Sequence, residues 1–242
     1  MNENHFIITS DSPLWWYGFA GFLGLGMLVF YLGLYFQNKN KEPEYRRILF
    51  YFLLAREIIH YIYLISNDKF SFADSLPLHL CGLSYLAALV FLYKPQAFIF
   101  EFLLLLSIGG ALQSILTPEM THGYSPYLFL DYYISHSAII ITPLYAFFVL
   151  KMKLREKSWF YIWIAAHIVL GTVGIINWFL HSNYIYLCIP PKVDNPMVTG
   201  GYPYHLIGFE IFGSLHILIL YTIFKKLIKA QKVSNAFSIT SY

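Results

Sequence analysis

Seven long apolar runs, separated by gaps of which every second one is basic, constrain this chain more than any other feature. The runs are residues 14–36, 47–66, 76–93, 97–116, 127–150, 158–181 and 204–224. About 20 mostly apolar residues cross the hydrocarbon layer as a helix, whereas a crossing strand needs only about 10. Inside that layer only helices and closed barrels satisfy every backbone polar group. The runs therefore predict an all-α polytopic membrane protein, a bundle of seven transmembrane helices forming a single domain over residues 1–242. The intervening stretches, such as "QNKNKEPEYR", "KPQ" and "TPEMTHGYSP", are polar or rich in Gly and Pro, as breaks should be.

The distribution of charge orients the bundle. Lys39, Lys41, Arg46 and Arg47 follow the first run, and Lys94 follows the third. Lys151, Lys153, Arg155 and Lys157 follow the fifth, and Lys225, Lys226, Lys229 and Lys232 follow the seventh. The other gaps hold only Lys69 and Lys192. Short cytoplasmic loops are enriched in Lys and Arg, so the N-terminus is expected outside and the C-terminus in the cytoplasm. Trp15, Trp16, Tyr127, Trp159 and Trp178 fall near run ends, where aromatic rings sit at the interface. Only 12% of residues are charged, against about 25% in soluble domains, which excludes a large soluble domain. No basic segment precedes the first run, so a cleaved leader is not expected. The expected location is a cell membrane, multi-pass.

Given this topology, polar residues gather in the outer leaflet. His79 and Cys81 enter with the third run, Asp131 and His136 with the fifth, and His205 and Glu210 with the seventh. Gln113, Ser114 and Thr117 end the fourth, and Asn177 and His181 end the sixth. Such residues are costly in lipid and normally face a bundle interior or a wet cavity. A single His, Gln or Asn can equally be interhelical glue, as for His167 or His216. The convergence of five runs on one leaflet points to an outward-facing polar cavity. Arg56 in "LLAREIIHY" falls near mid-membrane and requires a carboxylate; by depth Glu210 is the first choice, with Glu57 or Glu101 behind it. Two readings stand for Arg56: a bundle-locking ion pair, or a cavity floor that holds a phosphate or carboxylate head group.

"LHLC" carries the chemistry to explain. Residues two apart on a helix do not face each other, so a base for Cys81 is expected from another run: His136, or else His181 or His205. A cysteine and a histidine in contact form a thiolate–imidazolium pair competent for acyl transfer. A metal hydrolase is disfavoured, because no two histidines are three or four apart. A retinal protein would need a lysine within the last run, which has none. "GFLGLG" lies inside the first run and reads as helix packing. A transporter or a lipid-binding protein without catalytic activity is the non-enzyme alternative; Pro77, Pro143 and the intramembrane charges suit it, while the lack of paired repeats does not. Cys81 and Cys188 could also form a disulfide, which would make Cys81 structural.

In order and spacing, "LPLHLCGLS", "GGALQSILTP", "YYISHSAIIITPLY", "NWFLHSNYIYLCIPPK" and "GGYPYHL" resemble the YwaF-type bacterial integral membrane proteins, over roughly residues 47–210. That family is distantly similar to a mammalian transmembrane acyltransferase of ether phospholipids, and more remotely to the androgen-induced-gene type intramembrane hydrolases. The resemblance implies a bacterial plasma-membrane protein acting on phospholipid or lysophospholipid acyl esters as an acyltransferase, transacylase or ester hydrolase. Cys81 matches the cysteine proposed for the mammalian relative, and His136 the histidine that follows a tyrosine-rich helix start. The chain departs from these relatives in placing His79 before Cys81 and in lacking the hydrolases' nucleophilic threonine. In this reading Cys81 and His136 are catalytic. His79, Gln113, Asp131, Asn177, His181, His205, Glu210 and Arg56 support or bind substrate. No metal or other cofactor is needed, and neither a nucleic acid nor a soluble protein partner is indicated.

Overall fold

The computed structural model describes residues 5–191 and 200–239, with side chains to residue 230. Among these residues seven helices follow one another: α1 (Pro13–Asn38), α2 (Glu42–Ser66), α3 (Leu80–Tyr93), α4 (Ala97–Leu116), α5 (Pro126–Phe148), α6 (Ser158–Leu180) and α7 (Tyr204–Ile239). Each apolar run expected as a span contains one helix. Lys192 lies outside the described residues, as does the side chain of Lys232.

Helix starts are written locally. Ser12 caps α1 by accepting from Trp15 N, and Ser125 caps α5 by accepting from Leu128 N; Pro13 and Pro126 follow them at the first helical position, where the missing N–H costs nothing. Helix α6 is bounded by Lys157 and His181, both with positive φ. Three boundaries differ from the expected spans. Helix α3 begins at Leu80 rather than residue 76, because Leu76–His79 forms a tight turn with Leu78 N donating to Leu76 O at 2.7 Å. Helix α2 begins earlier, at Glu42, and α7 runs on well past residue 224.

Five of the helices, α1, α2, α4, α6 and the part of α7 to Ala230, are long and apolar enough to cross a membrane. Helix α3 has only 14 residues. Helix α5 is long, but it carries Asp131, Ser135, His136, Ser137 and Thr142 because it is the hub of the bundle, packed by α1, α3 and α4. The peripheral helices show the reverse pattern: Met27, Ile62, Ile168 and Ile219 are more than half exposed. Apolar residues outside and polar ones inside make a lipid-facing surface. The core is formed by Phe91, Phe100, Leu103, Leu104, Phe147, Ile162 and Ile217 from α3 to α7.

At the end of the bundle nearest the N-terminus, strand β1 (Phe6–Ile7) pairs antiparallel with β2 (Glu119–Met120) in the α4–α5 loop. His5 Nδ1 lies 2.5 Å from Glu119 Oε1 and buttresses this pairing. The α2–α3 and α6–α7 loops meet there too: Leu76 N donates to Tyr184 OH at 2.9 Å, and Lys69 Nζ to His122 O at 2.7 Å. At the opposite end Glu101, fully buried, accepts from Arg155 N at 2.8 Å and Arg155 Nη2 at 2.6 Å, which pins the α5–α6 loop to α4.

Candidate functional site

The turn "LPLH" delivers Cys81 to the first turn of α3, where backbone N–H groups have no intrahelical acceptor. Gly82 makes that turn possible. A Cβ there would sit 2.8 Å from the Cα and carbonyl carbon of Pro77, so only glycine lets the turn fold back on the helix start. Cys81 Sγ lies 3.8 Å from Ser114 Oγ on α4. Ser114 donates its hydroxyl proton to Gly110 O at 3.0 Å, so it receives the thiol proton rather than giving one.

On α5, His136 Nδ1 lies 2.8 Å from Tyr132 O. A carbonyl only accepts, so Nδ1 carries the proton and Nε2 keeps its lone pair. The Tyr132 ring stacks beside it at 4.1 Å, and Tyr132 OH donates to Ser114 O at 2.9 Å. Tyr132 and Ser114 thus link the surroundings of Cys81 and His136. The two side chains do not hydrogen-bond to each other among the described residues; Ser114 is the thiol's neighbour. Asp131, five residues before His136, does not orient the ring.

Both residues line a cavity of about 1270 Å³ between α2, α3, α4, α5, α6 and α7. Helices α4 and α7 meet where Gly109 lies under the His216 ring; a Cβ on Gly109 would come within 2.6 Å of that ring. From there to the β1–β2 end both helices line the cavity, from Gly109 to Thr117 and from Leu206 to His216. Just before this meeting α4 holds a π-helical turn, Leu103–Ser107, a form often found at functional sites. Leu112, Leu116, Ile207 and Ile211 line the cavity and are exposed.

Arg56 also lines the cavity; of the carboxylates expected for it, Glu57 meets it, Glu210 and Glu101 do not, and Asp131 joins it instead. Arg56 pairs with Asp131 of α5 and, at 2.6 Å, with Glu57 Oε2, and its guanidinium stands 5.0 Å from the Tyr85 ring centre. His60 Nδ1 lies 2.9 Å from Asp131 Oδ2, and Tyr127 OH donates to Asp131 Oδ1 at 3.3 Å. Glu210 is committed instead to His167, and Glu101 to Arg155. Asp131 wins because α5 is central and its N-terminal half, which carries Asp131, faces α2, whereas α7 packs on the far side against α4 and α6. Two carboxylates offset the guanidinium, while its buried Nε has no partner among the described residues.

Gln113 lines the cavity, with its Nε2 donating to Thr117 Oγ1 at 2.8 Å. His79 lines it beside Tyr184 and Tyr186, and its Nδ1 accepts from Ile185 N at 3.3 Å. Asn177, His181 and His205 do not line it. Asn177 is buried and holds the following loop, donating to Tyr184 O and accepting from Tyr184 N and Ser182 Oγ. His181 is the left-handed residue that ends α6. His205 is fully buried, with Nε2 2.9 Å from Tyr186 O. In the α4–α5 loop, burial and the nearby His60 push His122 down to about 4, so this cavity-lining ring is neutral at neutral pH. Cys81 and Cys188 are both free thiols, so the alternative of a disulfide between them is not realised. Among the described residues no group of three or more His, Cys, Asp or Glu side chains is placed to hold a metal ion.

Sequence reasoning overlooked Ser114 as the partner of Cys81 and Trp163 and Ser214 as partners of His167 and Glu210. A signal existed for the first: Gly110, Gln113, Ser114 and Thr117 recur at helical spacing on α4.

No curated protein and no solved structure matches this chain. The model of one family of transmembrane proteins matches residues 9–221, nearly all of the bundle, and the chain is a membrane protein belonging to the TMEM164 family.

Proposed function

We propose that this protein is a lipid acyltransferase or transacylase, acting on phospholipid acyl esters through Cys81 and His136. The observation that carries the reading is the sharing of one large cavity by a thiol in a helix's first turn and a histidine whose Nδ1 faces the Tyr132 carbonyl and whose Nε2 has no partner among the described residues. His136 takes the thiol proton, and Cys81 attacks the ester carbonyl. The unbonded N–H groups of α3's first turn and the Gln113 amide are the donors available to the developing oxyanion. The acyl chain lies along Leu112, Leu116, Ile207 and Ile211, exposed apolar residues of the cavity wall. The motif resemblance to YwaF-type proteins and their acyltransferase relative agrees with this chemistry. All seven helices are taken to cross a cell membrane, α3 and α5 shielded by the others, with the N-terminus outside as the basic gaps require.

The test uses purified protein in lipid nanodiscs with isotopically labelled phospholipid, reading acyl transfer by mass spectrometry. Cys81→Ala and His136→Ala should each lower turnover by several orders of magnitude, and the double variant little further, because the pair acts as a unit. Full activity in Cys81→Ala, or independent multiplying losses, would refute the pair.

One observation favours a second reading, a transporter: Arg56, Glu57, His60 and Asp131 line the cavity as a charged cluster within the bundle. Gradient-dependent solute uptake with an unchanged cellular acyl-chain profile would support it instead.

A further inference from the structure

The α6–α7 loop enters the cavity on a backbone that few residues adopt. Ile185 and Tyr186 both have positive φ, 58° and 55°. That is uncommon for any residue but glycine, and for a β-branched one such as Ile185 it is an outlier. Strained backbone persists only where the surroundings over-determine it, and it gathers at functional sites. The surroundings here are of that kind. The Asn177 side chain brackets Tyr184, donating to its O and accepting from its N, each at 2.9 Å. Tyr184 OH donates to Phe72 O at 2.8 Å and accepts from Leu76 N. Ile185 N donates to His79 Nδ1 at 3.3 Å, and His205 Nε2 donates to Tyr186 O at 2.9 Å.

These contacts hold one phenol in place. The tyrosines lining the cavity are Tyr61, Tyr85, Tyr132 and Tyr186. The first three donate their hydroxyls to backbone carbonyls, of Ser75, Leu53 and Ser114 respectively. Among the described residues the Tyr186 hydroxyl has no such acceptor. A tyrosine hydroxyl out of bulk water usually finds a partner, so this one is left to meet whatever enters the cavity. The Tyr186 ring centre stands 5.2 Å from that of His79, two residues before Cys81. Burial, and then the neighbouring Glu119 and Cys81, push the phenol above its usual value, so its proton stays on at neutral pH. The loop thus brings an uncommitted O–H to the start of α3, where the thiol lies.

Resting on the function proposed above, we propose that Tyr186 is a further catalytic residue, an oxyanion donor carried into the site by the α6–α7 loop. As the Cys81 thiol proton passes to His136 Nε2, an S–C bond forms and the carbonyl π pair moves onto oxygen. The Tyr186 hydroxyl donates a hydrogen bond to that oxygen and keeps its own proton. Its bond to an oxyanion is stronger than its bond to the ester carbonyl, so it favours the transition state over bound substrate. The pair then returns, the ester C–O bond breaks, and the leaving oxygen takes the proton from His136. The acceptor reverses these steps: its hydroxyl proton passes to His136, its oxygen attacks the thioester, and the same oxyanion forms. The S–C bond then breaks, and the thiolate recovers the proton.

Tyr186→Phe tests this role in the full chain in lipid nanodiscs with labelled phospholipid. Phenylalanine keeps the ring beside His79 and the backbone contacts of the turn. Loss of one oxyanion donor costs about 100-fold or more in kcat, and that loss is expected with KM and thermal unfolding unchanged. Palmityl trifluoromethyl ketone, to which a thiolate adds to leave an oxyanion, should bind more weakly by a similar factor. Tyr61→Phe removes a hydroxyl already given to Ser75 O and should lose far less. An unchanged kcat, a change confined to KM, a loss that follows thermal stability with ketone affinity intact, or an equal loss in Tyr61→Phe would overturn the oxyanion role. Cys81→Ala should abolish both turnover and ketone addition. Turnover retained there, or absent from the unaltered protein, would overturn the acyl-transfer function itself and this role with it.

Discussion

The Arg56 cluster predicts an asymmetric double-mutant cycle. Asp131→Asn removes one of two carboxylates from Arg56 and leaves Glu57 at 2.6 Å, so the guanidinium keeps a counter-charge. Breaking a buried pair costs about 3–5 kcal/mol, and this substitution belongs at the lower end, about 3 kcal/mol. Arg56→Met is worse. It strands Asp131 and Glu57, whose side chains are 5% and 15% exposed, with only His60 nearby to offset them. About 5 kcal/mol is expected there. In the double variant Glu57 is the one charge left beside His60, and an isosteric apolar replacement of a pair is often neutral. Its cost should therefore fall several kcal/mol short of the roughly 8 kcal/mol sum of the single variants. Denaturant unfolding in mixed micelles, followed by tryptophan fluorescence, measures all three. Additive costs, or Arg56→Met no worse than Asp131→Asn, would refute the assignment of Asp131 and Glu57 as the partners that make Arg56 tolerable.

Two further outcomes follow from the fold. Gly82→Ala should destabilise by about 1–3 kcal/mol through overpacking, because its Cβ meets the Pro77 backbone at 2.8 Å. Gly110→Ala, whose Cβ meets only Leu80 Cδ2 at 3.6 Å, should be mild; equal thermal shifts for the two would refute the close approach. In a bacterial host, alkaline phosphatase fused after residue 242 should be inactive under the proposed orientation, which keeps the C-terminus inside; an active fusion would overturn that orientation.

The helices of this protein were legible in its sequence, and so were contacts made within one helix. Apolar runs of spanning length set the seven helices, and Ser12, Pro13, Ser125 and Pro126 set two of their starts. The Tyr132 carbonyl holds His136, four residues on, a contact that the helix itself makes and that helical spacing alone brings together. The boundary at Leu80 was not legible. It depends on Gly82 accepting the Pro77 backbone, and that close approach is absent from hydropathy.

Contacts between helices were decided by the tertiary structure. Topology gives each polar residue a depth but says nothing about the direction in which its helix faces. By depth Glu210 suited Arg56, yet the two lie on opposite sides of the bundle: Asp131, on the central α5, takes Arg56, and Glu210 meets His167 on α6. Asn177, equally deep, is turned into the α6–α7 loop, while Ser114 is turned toward Cys81. One coordinate comes from hydropathy and charge, which sort residues along the membrane normal. The other two, helix rotation and neighbour order, come from side-chain packing around α5, and only the assembled bundle specifies them.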